Sequence, residues 1–397
     1  MSDTNPSVAA DADGTTDAAQ DVSIAVEDLT KVYDGDVLAV DGISFDVAAG
    51  DFCVIIGPSG CGKSTTLRSM VGDLSPTSGR IYVDGVDVTE TPTYKRDIGL
   101  VFQDFQLFPH LTVRENVEYG LERVGAPPAE RDEKVEDVLE LMKLESLADS
   151  PSDELSAGQK QRVALARSLV LEPNVLLLDE PLGDLDYKLQ KRLERELLDI
   201  HHQVETTFVY VTHDQRQAMR LADQIVVMND GHVEQSAPSD EIYNHPATAF
   251  VATFVGDSNV FTGELTDVVE PGVARMDTPF GTFDVSAENL YSDPEELLGE
   301  TLPFAVRPQF LRVDETAPNT VDCAVEDVIH QPGKGTKLIL EATDADGEPK
   351  QLELTTHDTY DSLDERVVAG WDPADTILLE RISVTDSVDL ERDLLGE

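Results

Sequence analysis

The chain contains little cysteine: only three of its 397 residues are of this type. Cys53, Cys61 and Cys323 have neither the paired spacing of zinc ligands nor the density of a disulfide framework. Small secreted domains depend on disulfide bonds, whereas proteins of reducing compartments do not. The composition therefore predicts a cytosolic setting in which the three thiols stay reduced.

Long apolar runs are also absent. No stretch approaches the about 18 consecutive apolar residues that a membrane-spanning helix requires. The N-terminal residues, Met1 to Asn5, lack the apolar core of a secretion signal. We therefore expect neither a membrane span nor a secretory leader.

Basic residues are scarce: 29 Lys and Arg stand against 79 Asp and Glu, a formal net charge of -50. Because binding to phosphate backbones needs a basic surface, we expect no nucleic-acid partner. The acidic residues are spread along the chain, as in proteins of salt-loving microbes, whose cytoplasm screens carboxylate repulsion. The alternative is an ordinary acidic protein.

The charge leads to a prediction about salt. We expect the isolated protein to lose structure at low ionic strength and to regain it in molar KCl, where the screening length falls to about 3 Å. Circular dichroism across a KCl series measures this. Full stability at about 50 mM salt would contradict the halophilic interpretation.

One stretch fits the spacing G-x-x-x-x-G-K-[ST] between a short apolar strand pattern and a helical pattern. In this context backbone N–H groups and a helix N-terminus can bind phosphate. We expect Lys63 to reach the β- and γ-phosphates of a nucleotide and Ser64 to hold Mg²⁺. The alternative is a chance match at a glycine-rich turn. The stretch consists of Gly57, Pro58, Ser59, Gly60, Cys61, Gly62, Lys63, Ser64 and Thr65.

Three apolar segments predicted to be strands end in polar side chains: Gln103, the pair Asp179 and Glu180, and His213. Open α/β sheets place their ligands at the carboxyl ends of their strands. Asp179 would then belong to the Mg²⁺ shell, Glu180 would polarise a water, and Gln103 would contact Mg²⁺ or that water. The alternatives are capping or loop positions for Gln103 and His213, and a structural pair of carboxylates.

Two further candidates are less specific. Residues Leu155 to Gln159 open a helix predicted from Lys160 to Val170, and Ser156 is placed to cap it. A helix start of the type Ser-x-Gly can bind an anion, although it is common. Tyr33, predicted in a loop about 25 residues before the phosphate loop, could stack on an adenine ring or be a surface tyrosine.

The chain divides by composition. Residues 1–20 are predicted to be a disordered acidic leader, and the motifs above occupy residues 21–240. From 241 to 397 we predict a linker and a β-domain, because short alternating strands, such as Phe304 to Val313, follow one another between Gly, Pro and Asp turns. A small β-barrel or sandwich is expected there.

Taken in order, these motifs resemble the ATP-binding subunit of an ABC (ATP-binding cassette) transporter over about residues 22 to 250. The resemblance implies an α/β fold, namely a P-loop ATPase cassette with a mostly parallel sheet, an antiparallel flank and a helical subdomain. It also implies ATP and Mg²⁺ as ligands. The matching segments are the A-loop Tyr33, Walker A Gly57 to Thr65, the Q-loop Gln103, the signature Leu155 to Gln159, Walker B Val175 to Pro181, the D-loop Leu182 to Asp186 and the switch His213.

The resemblance implies a head-to-tail pair, either a homodimer or a dimer with a second ATPase subunit. ATP on the Walker A of one subunit would meet Ser156, Gly158 and Gln159 of the other. Glu180 would activate water, and His213 would help to hold the γ-phosphate. ATP binding would close the dimer and hydrolysis would reopen it.

Two positions depart from the family pattern. Ala157 replaces the first glycine of the usual L-S-G-G-Q signature, while Ser156 and Gly158 are retained, so we expect activity. The D-loop has G-D-L-D where S-A-L-D is usual. Asp184 thus adds a carboxylate at the implied dimer interface, which could alter coupling between the two sites.

The β-domain resembles the OB-like (TOBE) regulatory domain of importer ATPases, through Gly256 to Gly263 and Val306 to Val313. This implies a membrane permease as direct partner, an extracytoplasmic solute-binding protein as indirect partner, and a place on the cytoplasmic face of the membrane. The absence of a G-S-P-x-M-N-F segment near Gly256 favours a polyamine, iron or related importer. A sugar importer, an exporter and a soluble non-transport ABC ATPase remain as alternatives.

The segment after Gln103 is unusually apolar for a loop, with Phe105, Leu107, Phe108 and Leu111 close together. Either these side chains pack inside the cassette, or they form a surface that receives a cytoplasmic helix of the permease.

Overall fold

The N-terminal part is built on a six-stranded sheet in this computed structural model, which describes residues 22–183, 186–331, 333, 335–357 and 365–384. The leader and Asp184 lie outside the described residues, so the predictions about them remain predictions. In the described ranges no helix has both the length and the apolarity needed to span a membrane. In spatial order the six strands are β10 (His232–Pro238), β9 (Gln224–Asn229), β3 (Phe52–Ile56), β8 (Thr207–Val211), β7 (Val175–Asp179) and β6 (Ile98–Val101).

Five of these strands, β9, β3, β8, β7 and β6, run parallel, and β10 adds to β9 in the antiparallel sense. Both faces of the sheet are covered, which explains why β3 and β8 are buried at every position. Phe52, Val54 and Ile56 of β3 pack on the helical side. Cys53 and Ile55 pack on the opposite side. The strand that leads into the phosphate loop is therefore held on both faces.

A four-stranded antiparallel sheet covers the second face. Tyr33 was predicted to lie in a loop, but it is the last residue of the first strand and pairs with Val37. An aromatic residue suits a strand position, and the turn begins only afterwards, where Gly35 and Asp36 have positive φ. In spatial order the strands are β2 (Val37–Ala48), β1 (Val22–Tyr33), β4 (Ser78–Val83) and β5 (Val86–Asp87).

Helices pack on both faces of the six-stranded sheet. The helix predicted from Lys160 begins earlier, at Ala157, because Ser156 occupies the N-cap and the Gln159 side chain accepts a hydrogen bond from the Ser156 N–H (2.8 Å). The helices of this part are α1 (Lys63–Val71), α2 (Val113–Val124), α3 (Pro128–Leu141), α4 (Ala157–Leu169), α5 (Tyr187–His201) and α6 (Gln215–Leu221). Helices α2 to α6 cover the first face, whereas α1 packs on the second face with the antiparallel sheet.

Two short helices, α7 (Ser239–Asn244) and α8 (Ala249–Gly256), connect the cassette to the β-rich part. Phe250 of α8 packs into the cassette core, whereas Ala252 of the same helix packs against Ala305 of the β-rich part. Helix α8 thus contacts both parts, and the domain boundary that we predict at residue 241 falls within α7.

The remainder forms two five-stranded antiparallel sheets around one core, in which Phe261 stacks on Trp371 with ring centroids 5.5 Å apart. This all-β region fits the expected OB-like fold. In spatial order the first sheet contains β13 (Gly281–Ser286), β12 (Val273–Thr278), β11 (Asn259–Glu270), β14 (Thr301–Val306) and β20 (Thr376–Leu378). The second contains β15 (Arg312–Val313), β19 (Arg366–Trp371), β16 (Asn319–Gln331), β17 (Gly335–Thr343) and β18 (Pro349–Thr356).

The single strand predicted from Phe304 to Val313 is wrong, because the structure divides it into β14 and β15. Pro308 cannot donate a ladder hydrogen bond. The chain turns just beyond Arg307, whose carbonyl oxygen accepts from the N–H of Phe310 (3.0 Å).

Candidate functional site

The phosphate loop joins β3 to α1, as its strand and helix patterns predicted. A Cβ added to Gly57 would lie 2.2 Å from the carbonyl oxygen of Met228, and one on Gly62 would lie 2.6 Å from that of Ala39. Gly62 also has a φ of 105°. Glycine is therefore required at both positions, where the loop backbone packs closely against its neighbours. The exposed part of the loop lies at Ser59 and Gly60.

Lys63 opens α1 with its side chain buried. Its Nζ donates to the carbonyl oxygens of Gly57 and Pro58, both at 2.8 Å. No carboxylate forms an ion pair with it in the described part of the chain. A buried ammonium that donates to neutral carbonyls and forms no ion pair is suited to an anion. The loop, the lysine and the N-terminus of α1 fit the phosphates of ATP.

The next residues of the loop differ in exposure. Ser64 is exposed at the first turn of α1, and Thr65 is half-buried. Cys61 is buried, and its Sγ lies 3.8 Å from the Lys63 ammonium. Burial raises the pKa of the Cys61 thiol, although Lys63 opposes that rise. Cys61 is therefore a packed thiol rather than a reactive thiolate.

Asp179 ends β7 beside Val211 of β8. Burial raises the pKa of its carboxyl, the Glu180 carboxylate adds to the rise, and the charges of Arg68 and Lys63 oppose it. The described residues contain no group of three metal-ligating side chains. Mg²⁺ needs fewer protein ligands, because it keeps waters and binds phosphate oxygens. The hydroxyl of Ser64 and the carboxylate of Asp179 are hard oxygen donors that fit such an ion.

Glu180 follows Asp179 with a φ of 43°, in the left-handed region that non-glycine residues rarely adopt. Its N–H donates to the Val211 carbonyl oxygen (3.1 Å), and its own carbonyl oxygen accepts from the N–H of Gly183 (3.1 Å). The Oε1 of Glu180 lies 3.2 Å from Nδ1 of His213. Strained backbone of this kind concentrates at functional sites, and here it directs a carboxylate towards His213.

Gln103 lies two residues beyond the end of β6 and joins the same group. A Cβ on Gly183 would lie 3.5 Å from Nε2 of Gln103 and 3.6 Å from Oε2 of Glu180. The predicted residues that follow β6, β7 and β8, namely Gln103, Glu180 and His213, therefore converge. Lys63 follows β3 at the same edge of the sheet, and its charge acts on Asp179.

Tyr33 also reaches the phosphate loop. Its hydroxyl lies 3.3 Å from Oγ1 of Thr65, and its side chain is partly exposed. The ring thus stands beside the first turn of α1, where a nucleotide base bound with its phosphates on the loop could stack on it.

The signature residues are not joined to this group. The Ser156 hydroxyl donates to Oε1 of Gln159 (2.9 Å), and Ser156 is exposed at the start of α4. Gly158 is buried, and a Cβ there would lie 3.5 Å from Leu189 of α5. Within the described ranges the side chain of Ser156 has no hydrogen bond to the phosphate loop.

The apolar segment after Gln103 packs mostly inside. Phe105 and Leu107 lie against the cassette core, and the Phe108 ring lies 4.5 Å from that of Tyr119. None of the four side chains predicted to crowd this loop is exposed. All four are partly buried, which favours the alternative that they pack inside the cassette, and docking of a permease helix at this segment stays a prediction.

Arg167 is a residue near the site that the sequence did not single out. It lies on α4 and donates to two carbonyl oxygens in the segment after Gln103. Contacts of a side chain with distant backbone leave no spacing signal in one sequence, so no pattern could have indicated it.

A family model described as "ABC transporter" matches residues 40–183, which include the segment from the Walker A motif to the start of the D-loop. The spermidine/putrescine import ATP-binding protein PotA of Rubrobacter xylanophilus is 42% identical over 332 residues, covering 83% of this chain and 86% of the relative. The Fe(3+) ions import ATP-binding protein FbpC of Photobacterium profundum is 38% identical over 299 residues, covering 75% and 82%.

Among solved structures, cbiO1 of Clostridium perfringens, part of the ABC transporter complex cbiONQ, is similar with a TM-score of 0.53 and 33% identity. The similarity covers 56% of this chain and 91% of that one. These relatives share the cassette, and the import ATP-binding proteins extend the match into the β-rich part. The chain belongs to the ATP-binding subunits of ABC importers, and it is an ATPase that powers import.

Proposed function

We propose that this chain is the ATPase subunit of a polyamine importer and that the residues converging at the carboxyl ends of the parallel strands carry its chemistry. The observation that supports the site most directly is the meeting of Glu180, His213 and Gln103 at one edge of the sheet, beside Asp179, whose pKa the charge of Lys63 lowers.

Each residue has a role that follows from its place. Lys63 and the loop N–H groups bind the β- and γ-phosphates, and Tyr33 stacks on the base. Glu180 accepts a proton from the attacking water while Gln103 orients that water. His213, hydrogen-bonded to Glu180, holds the γ-phosphate. Ser64 and Asp179 would hold Mg²⁺, which when bound would neutralise charge on the phosphates.

The signature residues act in the second subunit of a head-to-tail dimer. Ser156 is exposed at a helix N-terminus, which favours an anion, yet it is not bonded to the phosphate loop of its own chain. A partner chain would bring its Ser156, Gly158 and Gln159 to the ATP on this loop. Because the chain carries all of these parts, a homodimer suffices.

A membrane permease is the second partner, and it places the protein on the cytoplasmic face of the membrane. The segment from Gln103 to Leu111 connects β6 to α2, and its exposed residues are Gln103, Asp104, Gln106, Pro109 and His110. The surface offered to a permease helix is thus a partly apolar one with polar edges.

The solute class is supported by the relatives. The match to PotA is longer and closer than that to FbpC, with 42% identity over 332 residues against 38% over 299. Iron is the second candidate, because FbpC also extends into the β-rich part.

Reconstitution in liposomes tests the proposal. The chain would be combined with its cognate permease and binding protein, and ATP turnover measured in molar KCl. We expect spermidine or putrescine, loaded on the binding protein, to raise turnover about tenfold, since only a solute-loaded complex favours the closed dimer. Stimulation by Fe³⁺ but not by polyamines would reassign the solute to iron.

A further inference from the structure

The guanidinium of Arg167 holds the segment that follows Gln103. Its Nη2 donates to the carbonyl oxygen of Phe105 (3.0 Å), and its Nη1 donates to that of Gln106 (2.7 Å). The planar fork of arginine can serve two neighbouring acceptors at once, which the single ammonium of lysine does less well. This geometry fixes two consecutive peptide units.

The backbone of Phe105 and Gln106 needs support from neighbouring groups. Phe105 and Gln106 have φ values of 60° and 44°, so two successive non-glycine residues lie in the left-handed region. Such residues are strained and persist only where their surroundings hold them. Arg167 also lies 5.5 Å from the centre of the Phe108 ring, so its contacts are concentrated on this turn.

In the described part of the chain, Arg167 is hydrogen-bonded to the turn and not to a carboxylate. Among the described residues no Asp or Glu forms an ion pair with it, although the chain is strongly acidic. Burial lowers the pKa of its guanidinium. In a protein with so many carboxylates, a half-buried guanidinium that donates to backbone carbonyls instead serves to hold this turn.

Helix α4 also holds the chain on the other side of Gln103. The Ser168 hydroxyl donates to the carbonyl oxygen of Leu100 (3.1 Å) in β6. Two neighbouring residues near the C-terminal end of α4 thus bind the strand before Gln103 and the turn after it. The N-terminal end of the same helix is capped by Ser156 of the signature.

We propose that Arg167 is a positioning residue that fixes the position of Gln103 relative to Glu180. Through Arg167, the position of Gln103 depends on that of α4, the helix that begins at the signature. The proposal rests on the role given to Gln103 under the proposed function. If the signature end of α4 moves when it meets a nucleotide, the turn at Phe105 and Gln106 moves with it, because a helix is a rigid element. Arg167 acts through Gln103 and does not touch the nucleotide.

The first test compares two arginines of the same helix. Arg167→Met removes both hydrogen bonds, whereas Arg162→Met removes the pair of Arg162 with Glu196 on α5, which Arg192 still contacts. We expect Arg167→Met to lower kcat about 10- to 100-fold, as misplaced catalytic groups do. The KM for ATP should stay within about twofold, because the phosphate loop is intact.

The matched control separates positioning from stability. Arg162→Met should lose comparable stability but keep kcat within about threefold of the wild type. Arg167→Lys keeps the charge and one donor centre, so its kcat should lie between the wild type and Arg167→Met. Equal kcat values for Arg167→Met and Arg162→Met at a temperature where both are folded would overturn the proposal.

A double-mutant cycle with Gln103→Ala gives the decisive readout. If Arg167 acts through Gln103, then Arg167→Met should lower kcat by less than about twofold once Gln103 is gone. A second full loss of kcat in the Gln103→Ala background would overturn the proposal while leaving the role of Gln103 in place. Wild-type kcat for Gln103→Ala alone would instead overturn the role of Gln103, and this proposal with it.

Discussion

Glu180→Gln is expected to bind ATP and to hydrolyse almost none of it. The amide keeps the size of the side chain and a hydrogen bond to His213, but it cannot accept a proton from water. A positioned general base contributes about 10²- to 10⁴-fold to a rate, so turnover should fall by at least that range. Phosphate release in molar KCl measures the loss.

Nucleotide binding should survive the substitution, because Lys63, Ser64 and the loop N–H groups are untouched. Fluorescent ATP titration should give a Kd within about threefold of the wild type. Glu154→Gln, an exposed carboxylate just before the signature, is the matched control and should turn over normally. Wild-type turnover in Glu180→Gln would remove Glu180 from the role of base.

Glu234→Ala is expected to destabilise the junction between the cassette and the β-rich part. Glu234 is 5% exposed on β10. Its carboxylate accepts hydrogen bonds from Thr248 Oγ1 (3.0 Å), the Val384 N–H (3.0 Å), Asn229 Nδ2 (3.3 Å) and the Ser383 hydroxyl. Ser383 and Val384 belong to the segment that returns from the β-rich part, so one buried side chain joins three segments of the chain.

Removing this acceptor leaves several donors unsatisfied, each at a cost of about 1–3 kcal/mol if it stays dry. Some of these donors will bind water instead, so we expect a loss of about 3 kcal/mol in the free energy of unfolding. The single tryptophan, Trp371, lies in the β-rich core and reports urea unfolding of that part. Its transition should move to lower urea.

The comparison with Glu241→Ala completes the experiment. Glu241 is an exposed carboxylate on α7, close to the same junction, and its loss should leave the Trp371 transition in place. An unchanged transition in Glu234→Ala would contradict the view that this carboxylate ties the β-rich part to the cassette.

The sequence predicted the part of the site that depends on local pattern. The spacing of Gly57, Gly62 and Lys63 is tied to one strand and one helix, so it can be recognised without the rest of the fold. Glu180 and His213 follow apolar runs typical of strands buried on both faces. Parallel strands end at the same edge of a sheet, which is why residues far apart in the chain were expected to meet and do so.

The sequence did not predict contacts that depend on the three-dimensional path of the chain. Arg167 and Glu234 bind groups 61 and 150 residues away, respectively, at Gln106 and Val384. A helical arginine and a strand glutamate are common on surfaces, so their types gave no signal. Phe105 and Leu107 were ambiguous for a related reason, since an apolar loop can face either a core or a partner.

The central claim is that two copies of this chain enclose ATP between the phosphate loop of one and the signature of the other. Sedimentation of Glu180→Gln in molar KCl tests it most directly, because slow hydrolysis preserves the closed state. We predict a monomer without nucleotide, a dimer with ATP and Mg²⁺, and a monomer again when Ser156→Arg is added. A Glu180→Gln chain that binds ATP yet stays monomeric at saturating ATP, or a Ser156→Arg variant that still dimerises, would contradict the account.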